Sequence, residues 1–144
     1  MLASGGIIKH LQAASIASPF VRLVGQTCWN ELRYQNETWP FRNIQIQDMT
    51  SIDRPSFTVE GIFDATTNLV LKDCHPMFVF HWLTKQNFPN TRNIFMICPL
   101  YEEAILRFPN TTRFFIGYGY DKYFRTRPKA ANVQTMSMTE TKYF

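Results

Sequence analysis

The feature that most limits the fold is an apolar run that ends in two closely spaced glycines, at residues 113–119. Its bulky side chains are followed at once by Gly117 and Gly119, and glycine enters positive φ without a steric penalty. The pattern predicts a buried strand that ends in a sharp turn, as in an α/β domain. The dinucleotide-binding fingerprint needs a third glycine three positions later, where this chain has Lys122, so we expect no nucleotide site and no cofactor.

Other short apolar or alternating segments predict the rest of a sheet. Alternation with a period of two at 44–47 and 57–60 indicates two half-buried strands, which we expect to be antiparallel neighbours. Further strands are expected at 68–71, 93–98, 114–116 and 132–138. No regular spacing is evident among these segments, and for 144 residues we expect one compact domain.

Few helices are expected. The run 77–83 is apolar apart from His81, and its Phe and Val content favours a strand over a buried helix. Residues 99–108 are predicted to be helical, with Glu102 and Glu103 near the positive end of the helix dipole. The predicted fold class is therefore α/β, with a small mixed sheet, few helices and an extended N-terminal segment.

The first thirty residues contain no Asp or Glu, and they mix a few basic residues with apolar residues, Ala and Ser. This composition is typical of a mitochondrial targeting segment. Polar residues interrupt the apolar stretch well short of the roughly 20 residues of a membrane span, so no transmembrane segment is expected. We expect residues 1–43 to be a targeting-like segment and extended arm, retained against a partner, and residues 44–144 to form a single α/β domain. Within the arm, residues 29–40 are predicted to be a connector that lies over another surface through Trp29 and Trp39.

The residues that could carry chemistry are few. The candidate metal ligands and nucleophiles are His10, His75, His81, Cys28, Cys74 and Cys98. An odd number of widely spaced cysteines argues against a secreted disulfide protein, and no pair has the spacing of a structural zinc site. A Cys–His nucleophilic pair that meets only in space stays open. We expect no metal site and no catalytic residue.

A basic and aromatic segment at residues 118–129 is the best candidate for binding a partner. Its candidate contact residues are Tyr118, Tyr120, Lys122, Tyr123, Phe124, Arg125, Arg127 and Lys129. Tyr, Phe and Arg are enriched at protein-interface hot spots, and aromatic residues interleaved with cations also suit single-stranded RNA. The chain has 15 Lys and Arg against 11 Asp and Glu, an excess too small to indicate a nucleic-acid binder by itself. Protein contact is therefore preferred to RNA, with a solvated loop as the simplest alternative.

Short motifs spread over residues 57–144 resemble a known family. They are the 59–61 turn, the apolar run near Trp82, the acidic pair Glu102 and Glu103, the 115–119 turn, and the strand and helix start at 133–144. In these motifs the chain is similar to the adipogenesis-associated Mth-domain family, which has a small α/β domain. The family continues with the rest of a helix and one more strand, and residues 85–93 are an insertion relative to it. The resemblance implies a role in assembling respiratory complex I, without catalytic machinery.

The sequence and the resemblance together predict a non-catalytic accessory or assembly-type subunit of a mitochondrial respiratory-chain complex. We expect this complex to be complex I (NADH dehydrogenase). The chain would brace subunit interfaces on the matrix side or at the periphery of the inner membrane. One alternative is a mitochondrial ribosomal protein that contacts rRNA through residues 118–129. A small enzyme would instead need a pocket at the 117–119 turn with His or Cys converging on it.

Overall fold

The structure is a computed structural model that describes residues 10–13, 18–32, 38–54, 63–83, 87–99, 107–108, 110–117 and 134–138. Six strands lie within these residues: β1 (Phe20–Val24), β2 (Asn43–Gln47), β3 (Asn68–Lys72), β4 (Asn93–Ile97), β5 (Arg113–Gly117) and β6 (Gln134–Met138). The described residues also form two α-helices of seven residues each, α1 (Gln26–Leu32) and α2 (Pro76–Trp82). Residues 10–13 are also helical. No helix in the described part of the chain is both long enough and apolar enough to cross a membrane.

The six described strands form one sheet in which the spatial order is the chain order. Every strand runs parallel to the next and is in register from its first residue, so that Asn43 pairs with Asn68 and Asn68 pairs with Asn93. Parallel neighbours need a crossover that returns the chain to the same end of the sheet. Each strand and its connection are therefore one structural repeat, and the repeats stack side by side as a parallel solenoid.

The second and fourth residues of the strands build the core. Alternating side chains of a strand point to opposite faces, so these two positions share one face along the whole sheet. In β1 to β5 they are at most 3% exposed, and they are Val21, Leu23, Ile44, Ile46, Leu69, Leu71, Ile94, Met96, Phe114 and Ile116. Burying each of these side chains contributes roughly 1.5–3 kcal/mol of transfer free energy. The two inward rows are therefore the main source of stability that the sheet supplies.

Aromatic side chains from the connections close the core on its other side. The rings of Trp29 in α1 and Phe78 in α2 meet edge to face, with centroids 5.7 Å apart. Phe63 and Phe88 stack with centroids 5.2 Å apart and an interplanar angle of 11°. Phe63, Phe88 and Phe108 each stand five residues before a strand begins, and all three are buried. The connections thus repeat a buried phenylalanine at one fixed distance from the sheet.

The expectation of a strand at 77–83 is wrong, because Pro76–Trp82 form helix α2. Pro76 suits the first turn of a helix, where its missing N–H would have no partner in any case. His75 caps this end, since the backbone N–H of Met77 donates to its Nδ1 at 3.1 Å. Phe78 and Val79 are buried against the core, and this packing outweighs the strand preference of Phe and Val.

The α/β fold class is confirmed, as are the strands expected at 44–47, 68–71, 93–98 and 114–116. All five pairings between described strands are parallel, so the expected mixture of strand directions is not found among them. The described strands begin at unequal intervals along the chain, yet they repeat one structural unit that the sequence analysis did not predict. The strand expected at 57–60 and most of the helix expected at 99–108 lie outside the described residues.

Part of the expected N-terminal arm belongs to the folded unit. β1 pairs with β2 over its full length, and Leu23 and Trp29 lie in the same core as the later repeats. The predicted connector at 29–40 begins inside α1, so its first residues are helical. The described repeats therefore start at β1, ahead of the predicted boundary after residue 43.

Candidate protein-binding surface

The face of the sheet that points away from the core is formed by the first, third and fifth residues of each strand, and we call it the outer face. Its centre is closed, because Gln45, Val70 and Ile97 are only 1%, 0% and 4% exposed. On β1, by contrast, Arg22 and Val24 are exposed. The accessible parts of the outer face are therefore its margins.

Three asparagines at the first strand position form a hydrogen-bonded row, which we call the amide ladder. Asn68 Nδ2 donates to Asn43 Oδ1 at 2.7 Å, and Asn93 Nδ2 donates to Asn68 Oδ1 at 2.8 Å. An amide has a donor group and an acceptor oxygen, so it can link two identical neighbours in one direction. The ladder requires the in-register stacking of β2, β3 and β4, and it ties these repeats together at the end of the sheet where the strands begin.

A second row of side-chain hydrogen bonds runs just before the strands. The buried hydroxyls of Thr66, Thr91 and Thr111 donate to the backbone oxygens of Phe41, Thr66 and Thr91, at 2.7, 3.3 and 3.2 Å respectively. Each bond joins a threonine to the equivalent position of the preceding repeat. Buried carbonyl groups need such partners, because an unsatisfied one costs about 1–3 kcal/mol.

Asparagines at the adjoining exposed position make the same type of contact. Asn90 Nδ2 donates to the backbone oxygen of Asp64 at 2.7 Å, and Asn110 Nδ2 donates to that of Pro89 at 2.6 Å. The motif Phe-Pro-Asn-Thr occurs at 88–91 and 108–111. In both copies its Phe supplies a core ring, and its Asn and Thr supply two clamps to the previous repeat. These clamps hold the chain at the beginning of each strand.

We call this end of the sheet the entry edge, defined as the residue before the strand and the first strand residue in β2 to β5. Its members are Arg42, Asn43, Thr67, Asn68, Arg92, Asn93, Thr112 and Arg113. The three arginines are exposed and the other five residues are half-buried. The entry edge therefore presents cations, amides and hydroxyls, and it contains no carboxylate.

The opposite end of the sheet, which we call the exit edge, has the residues that follow the strands: Gly25, Asp48, Asp73 and Cys98. The first three have positive φ, of 93°, 58° and 50°. Glycine adopts this conformation without penalty and aspartate does so more readily than most residues. Asp48 and Asp73 are exposed, so the exit edge carries negative charge where the entry edge carries positive charge.

The cysteine thiols are enclosed in the core. Burial raises the pKa of Cys28 to about 11 and that of Cys98 to about 12, and it raises the pKa of Cys74 further still. Cys74 Sγ also contacts the backbone oxygens of Ile46 and Lys72, each at 3.4 Å. A thiol is nucleophilic as its thiolate, so these groups are protonated and unreactive near neutral pH.

The three histidines lie at different places in the fold. His75 caps α2, and His81 belongs to α2 with its Nδ1 buried and without a hydrogen-bond partner among the described residues. His10 is exposed in the short N-terminal helix. Within the described ranges, no group of three or more His, Cys, Asp or Glu side chains could hold a metal ion.

Two of the ten predicted contact residues, Trp29 and Trp39, lie within the part of the chain that the structure describes. Trp29 and Trp39 are in the core, at 2% and 4% exposure, so they do not place the 29–40 connector over a separate surface as expected. Their large apolar rings fill space between the connections and the sheet. The other eight candidates, Tyr118, Tyr120, Lys122, Tyr123, Phe124, Arg125, Arg127 and Lys129, lie outside the described residues. The entry edge was not predicted, because its residues share one edge only through the strand register.

The described fold and its two charged edges define a parallel solenoid of strand-containing repeats. The hydrogen-bonded equivalent positions of β2 to β5 are 20 to 25 residues apart, a period that lies in the range known for leucine-rich repeats. No protein-family model, curated protein or solved structure matches the chain. The function is therefore argued from the geometry of the repeats.

Proposed function

We propose that this chain is a non-catalytic repeat protein that acts by binding other proteins along the accessible margins of its sheet. The observation that carries the proposal is the in-register stack of parallel strands, whose connections and strand ends are clamped from one repeat to the next. Solenoids of this kind offer extended, rigid surfaces because each repeat adds an equivalent strip beside the last one. A surface that is fixed before binding loses little conformational entropy when a partner docks.

The composition of the described surface supports the same role. Polar clamps and exposed arginines are concentrated at the entry edge, whereas the thiols are buried and protonated. Arginine is enriched at protein interfaces and forms paired hydrogen bonds with carboxylates. Nucleophilic chemistry would need an accessible thiolate or an activated hydroxyl, and the buried thiols do not meet that requirement.

A mitochondrial respiratory-chain complex, most of all complex I, remains the proposed assembly in which this binding takes place. The support is the acid-free N-terminal composition and the family resemblance described above. The fold adds a condition, since β1 and α1 contribute Leu23 and Trp29 to the core. Any processing of a targeting segment would have to end before β1, or the first repeat would be lost.

Site-specific photo-crosslinking tests the proposal. A photoreactive phenylalanine analogue is placed at Arg22 or Arg113, both exposed on the outer face, and at exposed Thr27 in α1 as the matched control. After illumination in isolated mitochondria, the adducts are identified by mass spectrometry. We expect a small set of protein adducts from Arg22 and Arg113 and a different or empty set from Thr27.

The identity of the adducts decides between the assemblies. Subunits of NADH dehydrogenase would support the complex I role, and ribosomal proteins with rRNA would support the alternative. Equal adducts from all three positions, or none from the outer face, would contradict a binding role for the sheet margins.

A further inference from the structure

The entry edge carries three exposed arginines that have no charged partner among the described residues. None of Arg42, Arg92 and Arg113 forms a side-chain hydrogen bond or ion pair in the described part of the chain. The described residues of the connections that lead into β2 to β5 include five acids, which are Glu31, Asp48, Asp53, Asp64 and Asp73, and none of them forms an ion pair with these arginines. Asp48 and Asp73 lie at the exit edge, at the opposite end of the sheet. Like charges held close together repel one another, so the entry edge favours a ligand that carries negative charge.

The arginine positions are fixed by the backbone. The carbonyl oxygen of Arg42 accepts hydrogen bonds from the N–H groups of Thr67 and Asn68 at 3.0 and 3.1 Å. The carbonyl oxygen of Arg92 likewise accepts from Thr112 and Arg113 at 2.9 and 3.2 Å. The backbone of each of these two arginines is therefore hydrogen-bonded to the next repeat. The distance between the Arg42 and Arg92 backbones is then set by the spacing of the strands.

That spacing corresponds to an extended peptide. Arg42 and Arg92 are two strand steps apart, or about 10 Å at the usual distance between strands. Three residues of a chain extended as polyproline II cover about 9 Å, and because this helix has three residues per turn, every third side chain points to the same side. Carboxylates at every third residue of such a segment would thus meet the guanidinium groups of Arg42 and Arg92, and the half-buried amides and hydroxyls between them can bond its backbone.

We infer that the entry edge binds an acidic, extended segment of a partner protein, with Arg42, Arg92 and Arg113 pairing with its carboxylates. The inference rests on the proposed protein-binding function and names the chemistry of the partner. Single-stranded RNA is the less favoured ligand, because its binding sites combine cations with aromatic stacking surfaces and no entry-edge residue is aromatic. The described aromatic pair of the outer face, Phe95 and Phe115, stacks ring on ring at 4.5 Å.

Fluorescence anisotropy with defined probes tests the inference on the full chain. The probe is a labelled peptide with glutamate at every third residue and serine between, and the control peptide has glutamine in place of glutamate. The variant is Arg42→Gln with Arg92→Gln, and Arg54→Gln is the matched control because Arg54 is exposed outside the entry edge. Thermal unfolding of each variant confirms that it is folded, since exposed substitutions change stability little.

We expect the glutamate peptide to bind, with weaker binding at higher salt, and the double variant to weaken it about tenfold. The glutamine peptide should not bind, and Arg54→Gln should leave binding unchanged. Failure of the glutamate peptide to bind, or an equal loss in Arg54→Gln, would overturn the inference. Tighter, Arg42- and Arg92-dependent binding of an oligouridylate of equal length would overturn it in favour of RNA. If the peptide fails while Arg22 still crosslinks to protein partners, the inference falls and the proposed function stands.

Discussion

The amide ladder gives the sharpest test of the stacked-repeat architecture. Asn68 is its middle member, with one hydrogen bond to Asn43 and one from Asn93. Within the ladder, Asn43 and Asn93 each have only the bond to Asn68. Replacing Asn68 by alanine therefore removes two ladder bonds, whereas Asn43→Ala or Asn93→Ala removes one.

The expected magnitudes follow from the net value of a hydrogen bond in a protein. Each ladder bond contributes about 1 kcal/mol to the free energy of unfolding, so Asn68→Ala should cost about 2 kcal/mol and either end substitution about 1 kcal/mol. For a chain of this size, about 2 kcal/mol corresponds to a fall in Tm of roughly 4–8 °C. The middle asparagine should thus be about twice as important as either end.

Urea unfolding of single and double variants measures these values. Asn43→Ala combined with Asn68→Ala should show a coupling energy of about 1 kcal/mol, because both changes remove the same bond. The control pair is Asn43→Ala with Asn93→Ala, whose side chains share no bond and should be additive. Equal costs at all three positions, or equal coupling in both pairs, would show that the ladder does not stabilise the stack as argued.

Three further predictions concern the core and the exit edge. Phe88→Ala should lower the free energy of unfolding by about 3–5 kcal/mol, because Phe88 is 1% exposed and stacks on Phe63. A loss below about 1 kcal/mol in urea unfolding would refute the place of Phe88 in the core. Gly25 and Asp73 both have positive φ, which glycine adopts most easily. Asp73→Gly should therefore raise the free energy of unfolding by about 0.5–1 kcal/mol, and Gly25→Ala should lower it by about 1 kcal/mol or more. Calorimetry that gave the opposite signs would contradict this. Burial raises the pKa of Cys98 from 9.0 to about 12, so above pH 9 the unfolded chain loses this proton before the folded one does, and stability should fall by about 1.4 kcal/mol per pH unit between pH 9 and 11. Urea unfolding of Cys98→Ala should show a slope that is shallower by that amount, and an unchanged slope would contradict the assignment.

The strands could be predicted from the sequence because alternation reports directly on a sheet with one buried face. Ile44 and Ile46 flank Gln45, and this alternation indicates a strand independently of which strand pairs with it. Helix α2 could not be predicted in this way, because its seven residues are too few to show a helical period and its Phe and Val favour strands. Pro76, together with His75 as a capping residue, was the local signal for a helix start.

The repeat was missed although part of it is visible in the chain. Phe-Pro-Asn-Thr occurs at 88–91 and again at 108–111, but the equivalent segment at 63–66 keeps only Phe63 and Thr66. The intervals also vary, so a search for one fixed period fails. A better signal was the threonine two residues before β3, β4 and β5, at positions 66, 91 and 111.

The candidate surface could not be predicted, because it depends on which residues the register brings to one edge. Arg42 and Arg92 are far apart in the chain and follow different connections. They are both immediately before a strand, and only the parallel order of the sheet turns this shared position into proximity. A local run such as 118–129 is visible in sequence, whereas a row assembled across repeats is not.

The threonine clamps explain how a solenoid with unequal repeats keeps a regular edge. Thr66, Thr91 and Thr111 reach back over 25, 25 and 20 residues, and each bonds the equivalent carbonyl of the preceding repeat. The clamp depends on the last residues before the strand, so a change in length further back in the connection does not alter it. Length variation is therefore absorbed on the connection side, away from the strand starts. The spacing of the entry-edge arginines is then set by the sheet, which is the condition that recognition of evenly spaced carboxylates requires.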